Sequence, residues 1–284
     1  MPELIDLHTH STASDGTVAP AELIRLAAEA GLDGIALTDH DTVSGLDEFL
    51  AEAEKHDLKA VPGLELSSLL FSKELHIVGL FIDRRNPKLL ELLEKIRQGR
   101  TERNEAIVLK CRAAGYEITM DELREVAGGE SIGRPHIAEI LVRKGYFETI
   151  RDVFEQCLKR GCRCYVPRTL PSSQEAVGII HEAGGLAIWA HPVSSQSGER
   201  AFVRKMLKHL IPAGLDGMEV RYSMFSEAQT QMLTELAEEN HLCKSGGSDF
   251  HGERQPGIQL GIGTGNLSVP TEYLDALMAK AGKI

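Results

Sequence analysis

The chain has 284 residues, of which 42% are hydrophobic and 26% are charged, and its formal net charge is −11 at pH 7. This length suits one large α/β barrel or two smaller domains, and the composition is ordinary for a globular protein. The negative charge argues against a broad electrostatic grip on duplex DNA or on an anionic membrane, because both of those surfaces are negative.

Short apolar runs alternate with amphipathic helices along most of the chain, which is typical of a parallel (β/α) barrel. Candidate strands cover 4–8, 34–38, 58–66, 74–81, 186–190, 216–221 and 242–246. Candidate helices between them cover 20–30, 45–55, 173–183, 199–211 and 226–240. The first of these helices has Pro20 near its start and Gly31 just past its end, as helix termini prefer.

The segment 86–164 breaks this alternation because it is mostly helical and charged. Its periodic runs predict helices at 89–114, 120–126, 134–144 and 150–159. A connection of this length inside a barrel is best explained as a helical insertion that caps the active site. We therefore predict a barrel built from 1–85 and 165–284, with the insertion 86–164 between them.

Five cysteines make an odd set, and the N-terminus runs directly into a candidate strand without a basic segment or an apolar stretch before it. These features predict reduced thiols, no signal peptide and a cytoplasmic location. Cys157, Cys162 and Cys164 are close in sequence and could suggest a zinc cluster. They lack a clear fourth ligand at the spacing of a zinc finger, so we expect free thiols.

The first candidate strand ends with two histidines, His8 and His10. Residues i and i+2 of a strand point to the same face, so both imidazoles can share a divalent metal. This motif alone is weak, because packing explains it equally well.

Similar side chains lie on, or just after, nearly every other candidate strand. They are Asp39, His40, Glu65, His76, His191, Glu219, Arg221, Asp249 and His251. The carboxyl ends of strands in a parallel barrel meet at one face, so these residues are expected to converge. Their mixture of nitrogen and oxygen donors suits Mn, Fe or Zn and is a poor cage for Ca or Mg.

Five short motifs carry most of these residues. They are Asp6-Leu7-His8-Thr9-His10-Ser11 with Ser14-Asp15-Gly16, Thr38-Asp39-His40-Asp41, Pro62-Gly63-Leu64-Glu65, Ala190-His191-Pro192 and Gly247-Ser248-Asp249-Phe250-His251. Together they resemble the motifs of the PHP (polymerase and histidinol phosphatase) family of the amidohydrolase-like group. The resemblance implies a distorted seven-stranded (β/α) barrel that holds two or three divalent metal ions.

The resemblance also implies metal ligands that are catalytic. His8, His10, Glu65 and Asp249 would surround one metal; Glu65 would bridge to a second held by His76 and His191; Asp15, His40 and His251 would hold a third. No ligand of this set is missing, which argues against a non-catalytic PHP module. We expect Mn²⁺, with Zn²⁺ or Fe as alternatives, and phosphoester hydrolysis by a water activated between two metals. Asp6 and Asp39 would orient imidazoles or cap strand ends.

The insertion contains Gly133-Arg134-Pro135-His136 at a helix start, where an arginine could clamp a phosphate. From these residues alone, a capped surface helix with a solvated arginine is the simpler explanation. This run and Tyr165-Val166-Pro167-Arg168, however, resemble the PHP proteins that act on nucleotides, namely 3′,5′-nucleotide bisphosphate phosphatases and 5′-3′ exoribonucleases. The resemblance makes Arg134 and His136 the first expected substrate contacts, with Ser131 beside them at the helix start. Arg168 and Arg221 are second choices, because either could instead pair with acidic residues of the barrel.

We therefore predict a phosphatase that converts 3′-phosphoadenosine 5′-phosphate to AMP and phosphate, with short 5′-phosphorylated RNA as a further substrate. His136 or a metal-bound water would protonate the leaving 3′ oxygen. Histidinol-phosphate phosphatase is the alternative among hydrolases, and a non-catalytic, metal-binding regulatory module is the alternative of another class. The expected partner is a nucleotide or short RNA, without duplex DNA, membrane or an obligate protein partner.

Overall fold

A computed structural model describes residues 4–127, 132–193 and 200–283. The chain divides into two compact units: Met1–Glu91 with Pro171–Ile284, and Leu92–Leu170. The first, the barrel unit, contains the strands, and the second, the helical unit, contains most of the segment that interrupts them. The role of the helical unit as a cap stays a prediction.

Seven strands of the described residues form one sheet, in the order of the chain. They are β1 (Ile5–Asp6), β2 (Gly34–Leu37), β3 (Lys59–Leu70), β4 (Lys73–Leu80), β5 (Leu186–Trp189), β6 (Gly217–Tyr222) and β7 (Cys243–Gly247). Hydrogen bonds from Leu7 N–H to Gly246 O and from Asp249 N–H to His8 O join the chain around β1 to that around β7. The sheet therefore nearly closes, and the predicted distorted seven-stranded barrel is confirmed.

One strand departs from the predicted parallel pattern. β4 pairs antiparallel with β3 and β5, whereas the other neighbouring strands are parallel. The reason is the two-residue turn between β3 and β4, since a parallel pair requires a much longer crossover. Phe71 and Ser72 form this turn with φ values of 51° and 63°. His76 consequently lies in the N-terminal half of its strand, and the prediction of a purely parallel barrel was wrong here.

Ten α-helices lie in the described parts of the chain. They are α1 (Pro20–Glu29), α2 (Leu46–Ala53), α3 (Pro87–Ala113), α4 (Met120–Ala127), α5 (Arg134–Arg143), α6 (Ile150–Val153), α7 (Ser173–Glu182), α8 (Arg200–Leu210), α9 (Glu227–Glu239) and α10 (Thr271–Lys280). The helix predicted at 150–159 is α-helical only at its start and continues as a π-helical turn, Phe154–Leu158. The sequence did not predict α10. None of the described helices has the length and apolar composition that spanning a membrane requires.

The alternation of side chains along β1 separates the barrel core from the polar residues. Ile5 and Leu7 are fully buried in an apolar cluster that also contains Leu274 of α10. Burying an aliphatic side chain of this size contributes about 1.5–3 kcal/mol. His8 and His10 are offset by one residue from these positions, so they point to the opposite face of the strand.

The helical unit has an apolar core of its own. Its buried side chains come from α3, α4, α5 and α6 and include Ile107, Leu123, Ile137, Leu141 and Val153. The helices of this unit therefore pack on one another through apolar side chains.

Candidate metal centre

Nine side chains of the barrel unit bring their nitrogen and oxygen donors together. This barrel cluster consists of His8, His10, Asp15, His40, Glu65, His76, His191, Asp249 and His251. The donors fall into four overlapping groups, and the atoms of each group lie within 4.8 Å of one another. The groups are His10–Asp15–His40–His251, His8–Glu65–His191, His8–His10–Asp249 and His40–Glu65–His76. All nine residues predicted as metal ligands therefore converge.

Glu65 lies between several imidazoles of the barrel cluster. Its Oε1 is 2.9 Å from His76 Nδ1 and 2.8 Å from His191 Nε2, and its Oε2 is 2.8 Å from His40 Nδ1. The Glu65 side chain is completely buried. A carboxylate that presents both oxygens to separate groups of donors is suited to bridging two cations.

The two histidines after β1 also share a neighbour. His8 Nε2 and His10 Nε2 are 3.1 Å apart, and His10 Nε2 is 3.1 Å from Asp249 Oδ1. Both imidazoles are completely buried. Their spacing in the sequence thus produces the paired arrangement that the strand geometry predicted.

A second set of rings surrounds Asp15. The ring centroid of His10 is 4.1 Å from that of His251 and 4.4 Å from that of His40. Asp15 Oδ1 lies 3.3 Å from His251 Nε2. His10 therefore belongs to this group as well as to the group of Asp249, and it links the two.

The charges in the barrel cluster depend on one another. Burial alone would raise the pKa of the Glu65 carboxyl, but His40, His76 and His8 hold that pKa well below its ordinary value. Burial would likewise lower the pKa of His76, but Glu65 raises it to about 10. Burial and the neighbouring His40 instead lower the pKa of His10 to about 4, so this ring stays neutral. Buried carboxylates of this kind require positive charge next to them.

Unsatisfied atoms provide a test of whether metal ions fit. Four buried atoms of the cluster make no hydrogen bond with the described residues: His10 Nδ1, Asp15 Oδ1, Glu65 Oε2 and Asp249 Oδ1. Glu65 Oε2 lies 2.8 Å from His40 Nδ1 and Asp249 Oδ1 lies 3.1 Å from His10 Nε2, but neither contact has the geometry of a hydrogen bond, so these lone pairs are available to a cation. Imidazole and carboxylate donors that converge in this way fit divalent transition-metal ions.

Glu219 on β6 holds two residues of the cluster. His8 Nδ1 donates to Glu219 Oε1 at 2.7 Å, and the His191 backbone N–H donates to Glu219 Oε2 at 2.6 Å. The sequence placed Glu219 near the cluster but assigned it no role. Tyr222 was missed, because the strand was predicted to end at 221. Its hydroxyl donates to Asp249 Oδ2 at 2.7 Å.

Asp6 and Asp39 fix the loops that carry the donors. Asp39 accepts hydrogen bonds from the Ser11 backbone N–H at 2.8 Å and from the hydroxyls of Ser11 and Ser14 at 2.7 and 2.5 Å. Asp6 accepts from the backbone N–H and the hydroxyl of Ser248 at 2.8 and 2.5 Å. Both carboxylates therefore support neighbouring loops from outside the groups of donors.

The backbone of this region is strained. Asp41, His191 and Asp249 have φ values of 52°, 29° and 58°, in the left-handed region that non-glycine residues rarely adopt. Strain of this kind costs about 1–3 kcal/mol per residue and is concentrated at functional sites. Gly247 allows β7 to approach closely, since a Cβ at this position would lie 2.4 Å from His8 N.

Three of the predicted substrate contacts belong to the helical unit. The Arg134 guanidinium, at the first position of α5, lies 5.6 Å from the ring centroid of Phe154. His136 Nδ1 accepts a hydrogen bond from the Gly133 backbone N–H at 3.1 Å, so His136 caps the helix start. Arg168 lines a small cleft with Arg100 and Arg103. These positions do not establish contact with a substrate, which stays a prediction.

The other two predicted substrate contacts give different results. Arg221 lies on β6 in the barrel unit, and its buried Nε has no hydrogen-bond partner among the described residues. Ser131 lies outside the described residues.

Residues 6–162 match the family model described as PHP domain. The chain belongs to the PHP domain family. This PHP chain is 36% identical over 258 residues to the 3′,5′-nucleoside bisphosphate phosphatase of Chromobacterium violaceum, which covers 90% of each chain. It is 34% identical over 260 residues to the 5′-3′ exoribonuclease Rnm of Escherichia coli, which covers 91% of this chain and 88% of the relative.

A solved structure of a proposed metal-dependent phosphoesterase from Bifidobacterium adolescentis superposes on the PHP chain with a TM-score of 0.82 at 30% identity. The match covers 99% of this chain and 98% of that one. The predicted family is confirmed. The predicted class of enzyme, a phosphoesterase, is confirmed as well. Relatives named as a phosphatase and an exoribonuclease match this chain over most of their length.

Proposed function

We propose that this PHP protein is a metal-dependent phosphoesterase that removes the 3′-phosphate of 3′,5′-nucleoside bisphosphates and converts 3′-phosphoadenosine 5′-phosphate to AMP and phosphate. The observation that carries this proposal is the barrel cluster, with its nine donors around the buried Glu65. The choice of substrate is supported by the C. violaceum relative, whose name states this activity and which matches over 90% of both chains.

The nine residues of the barrel cluster are the proposed ligands of two or three divalent ions, with Mn²⁺ as the proposed metal. Bound ions would neutralise charge on the phosphoryl oxygens and make the attacking water more acidic. Residues next to the cluster orient the side chains that carry its donor atoms. Because Glu219 accepts the Nδ1 proton of His8, the Nε2 atom of that ring would present its lone pair to a bound metal. The buried positions of His8 and Glu65 exclude bulk water and strengthen electrostatic interactions.

Substrate recognition is proposed for five residues: Ser131, Arg134, His136, Arg168 and Arg221. An arginine guanidinium binds phosphate through two parallel hydrogen bonds, which would position the substrate. We propose His136 as the general acid. Its Nδ1 accepts the Gly133 N–H, so the neutral ring carries its proton on Nε2, from which the proton can pass to the leaving 3′ oxygen.

A second candidate substrate is short 5′-phosphorylated RNA. The E. coli relative named as a 5′-3′ exoribonuclease is about as similar to this chain as the bisphosphatase. Both substrates present a phosphoester next to a ribose. We also propose a cytoplasmic location, in keeping with five free cysteines.

The reaction is tested by phosphate release from 3′-phosphoadenosine 5′-phosphate, histidinol phosphate and a short 5′-phosphorylated RNA. The protein is loaded with Mn²⁺, and a chelated sample is the control. His191→Ala should abolish turnover, whereas His181→Ala should not, because His181 pairs with Asp216 outside the barrel cluster. No turnover of any substrate by the metal-loaded protein would contradict the enzyme. A preference for histidinol phosphate would contradict the nucleotide assignment.

Arg134→Ala tests the proposed phosphate contact. The substitution should raise KM for the bisphosphate about 10- to 100-fold, which corresponds to the loss of a charged hydrogen bond of about 1.5–3 kcal/mol. Metal content, measured by elemental analysis, should not change. Arg143→Ala is the matched control, since Arg143 is an exposed arginine at the last position of the same helix. If the two variants had equal kinetics, Arg134 would not contact the substrate phosphate.

A further inference from the structure

Three of the five cysteines converge in the helical unit, although they are far apart or unevenly spaced in the sequence. Cys111 lies near the end of α3, Cys157 lies in the π-helical turn, and Cys164 lies in the following loop. All three side chains are completely buried. Their Sγ atoms lie within 4.8 Å of one another. These three residues are called the thiol cluster.

The backbone around Cys157 brings two of the thiols together. The π-helical turn Phe154–Leu158 is a rare conformation that occurs frequently at functional sites. Gly161 follows with a φ of 94°, and the Cys164 backbone N–H then donates to Cys157 O at 3.2 Å. The chain thus reverses direction and returns Cys164 to Cys157.

Cys162 is the neighbour that does not join the cluster. Its Sγ is directed to the backbone oxygen of Glu155 at 3.3 Å, and its side chain is partly exposed. The sequence suggested Cys157, Cys162 and Cys164 as a possible set, without Cys111. The fold replaces Cys162 with Cys111, because α3 supplies a third buried thiol from a distant part of the chain.

A buried cysteine usually acts as a small apolar side chain, and apolar residues such as Ile107, Leu141 and Val153 share the core with the thiol cluster. Apolar packing alone gives no reason for three thiols to face one another. Hydrogen bonding from the Cys111 thiol, aided by that of Cys164 and the charge of Arg163, lowers the pKa of Cys157 to about 7 despite burial. Burial and the Cys157 thiol in turn raise the pKa of Cys164 to about 11, so the three thiols do not ionise together and a bound cation would have to displace their protons.

We propose that Cys111, Cys157 and Cys164 form a second metal site, for a soft, thiol-binding cation, Cu⁺ or Zn²⁺. Thiolate sulfur binds both of these ions well, whereas the imidazoles and carboxylates of the barrel cluster also suit harder ions such as Mn²⁺. Each coordinating thiol releases its proton to solvent when the metal binds. No fourth donor joins the three sulfurs within the described ranges. A set of three sulfur donors favours Cu⁺, since Zn²⁺ normally takes four ligands.

The site is tested first on the full-length wild-type chain, reduced and stripped of metal under anaerobic conditions. Co²⁺ is the probe, because a near-ultraviolet charge-transfer band arises only when cobalt is bound to thiolate. We expect the intensity of the band to correspond to one thiolate-bound Co²⁺ per chain, because Co²⁺ held by the nitrogen and oxygen donors of the barrel cluster gives no such band. Added Zn²⁺ or Cu⁺ should bleach it, and competition with a chromophoric Cu⁺ chelator distinguishes a copper site from a zinc site. Absence of the band at excess Co²⁺, together with no Cu⁺ bound against the chelator, would overturn the proposal.

Variants then identify the ligands. Cys157→Ser should weaken Co²⁺ binding at this site more than about 100-fold, beyond the loss typical of a residue that only supports a ligand. Cys162→Ser and Cys243→Ser are the controls, because neither belongs to the thiol cluster. An unchanged band in Cys157→Ser, or its loss in Cys162→Ser, would refute the assignment. If Cys157→Ser does not fold, as judged by circular dichroism, Cys111→Ala and Cys164→Ser provide the same test.

Discussion

The barrel cluster and the thiol cluster both gather potential metal ligands, but they do so in different surroundings. The barrel cluster lies at strands and the loops after them. Its polar side chains have polar partners: His8 donates to Glu219, and Asp249 accepts a hydrogen bond from Tyr222. The thiol cluster lies among helices, in a core of aliphatic side chains. Carboxylates in the first setting require compensation by cations, whereas neutral thiols are tolerated in the second without one.

This difference predicts that the two clusters bind different classes of metal ion, with different effects on the protein. Hard or borderline ions bound by nitrogen and oxygen would serve phosphoester hydrolysis in the barrel unit. A soft ion bound by sulfur would instead add stability to the helical unit, because metal binding to a folded site is also folding free energy.

The largest expected effect is loss of the shared carboxylate of the barrel cluster. Glu65→Gln removes the charge that faces His40, His76 and His191, so Mn²⁺ binding should weaken severely. We expect kcat/KM for the bisphosphate to fall at least about 10³-fold, or about 4 kcal/mol. Phosphate release and elemental analysis measure the two effects.

The matched control is Glu52→Gln, a buried carboxylate of α2 that pairs with Arg25 and Lys55. It should retain turnover close to that of the wild type. If Glu65→Gln retained full metal content and activity, Glu65 would not be a ligand, and the proposed set of metal ligands would be wrong.

The next largest expected effect is on thermal stability, and it distinguishes metal binding at the barrel cluster from metal binding at the thiol cluster. Mn²⁺ should raise the thermal midpoint of the wild type and of Cys157→Ser, but not that of Glu65→Gln. Cu⁺ should raise the midpoint of the wild type and of Glu65→Gln, but not that of Cys157→Ser. At a free metal concentration about 100 times the dissociation constant, each site adds about 2.7 kcal/mol, or about 5–10 °C. Calorimetry under reducing conditions measures these shifts. If one substitution removed both shifts, the clusters would not be independent.

The sequence predicted the barrel cluster because strands repeat one geometry. Successive βα units bring strand ends to one face, so motifs containing His8, His40 or Asp249 are expected to meet whatever the sequence distance between them. The β4 direction was predicted wrongly, since the pattern of apolar residues in a strand does not depend on its direction. His76 still reaches Glu65 because its strand turns back along β3.

The thiol cluster could not be predicted in the same way. Its geometry depends on a π-helical turn and on how α3 packs in the helical unit, and neither follows from residue spacing. Proximity in sequence favoured Cys162, whereas packing selected Cys111. Glu219 and Tyr222 carried a weaker signal. Glu219 lies on the predicted strand 216–221 and Tyr222 directly follows it, but no motif marks a residue that acts by holding a ligand.

Glu219→Gln tests this supporting role. The amide keeps the shape of the side chain but loses the charge that holds the Nδ1 proton of His8. Metal affinity or activity should fall about 10- to 100-fold, as is typical for carboxylates behind a ligating histidine. Excess Mn²⁺ should restore part of the turnover, which a defect in folding would not allow. Glu227→Gln, on the exposed first turn of α9, is the control. Wild-type metal affinity in Glu219→Gln would contradict the role.

The smallest expected effect is that of Tyr222→Phe, which removes one hydrogen bond to Asp249 and leaves the ring in place. A hydrogen bond to a charged group contributes about 1.5 kcal/mol at the lower end of its range, so activity at limiting Mn²⁺ should fall about 10-fold. At saturating Mn²⁺ the loss should shrink, because the hydroxyl orients a ligand and does not touch the substrate. Tyr273→Phe, on α10, is the matched control. A loss that stayed the same at every Mn²⁺ concentration would instead place the Tyr222 hydroxyl in the reaction itself.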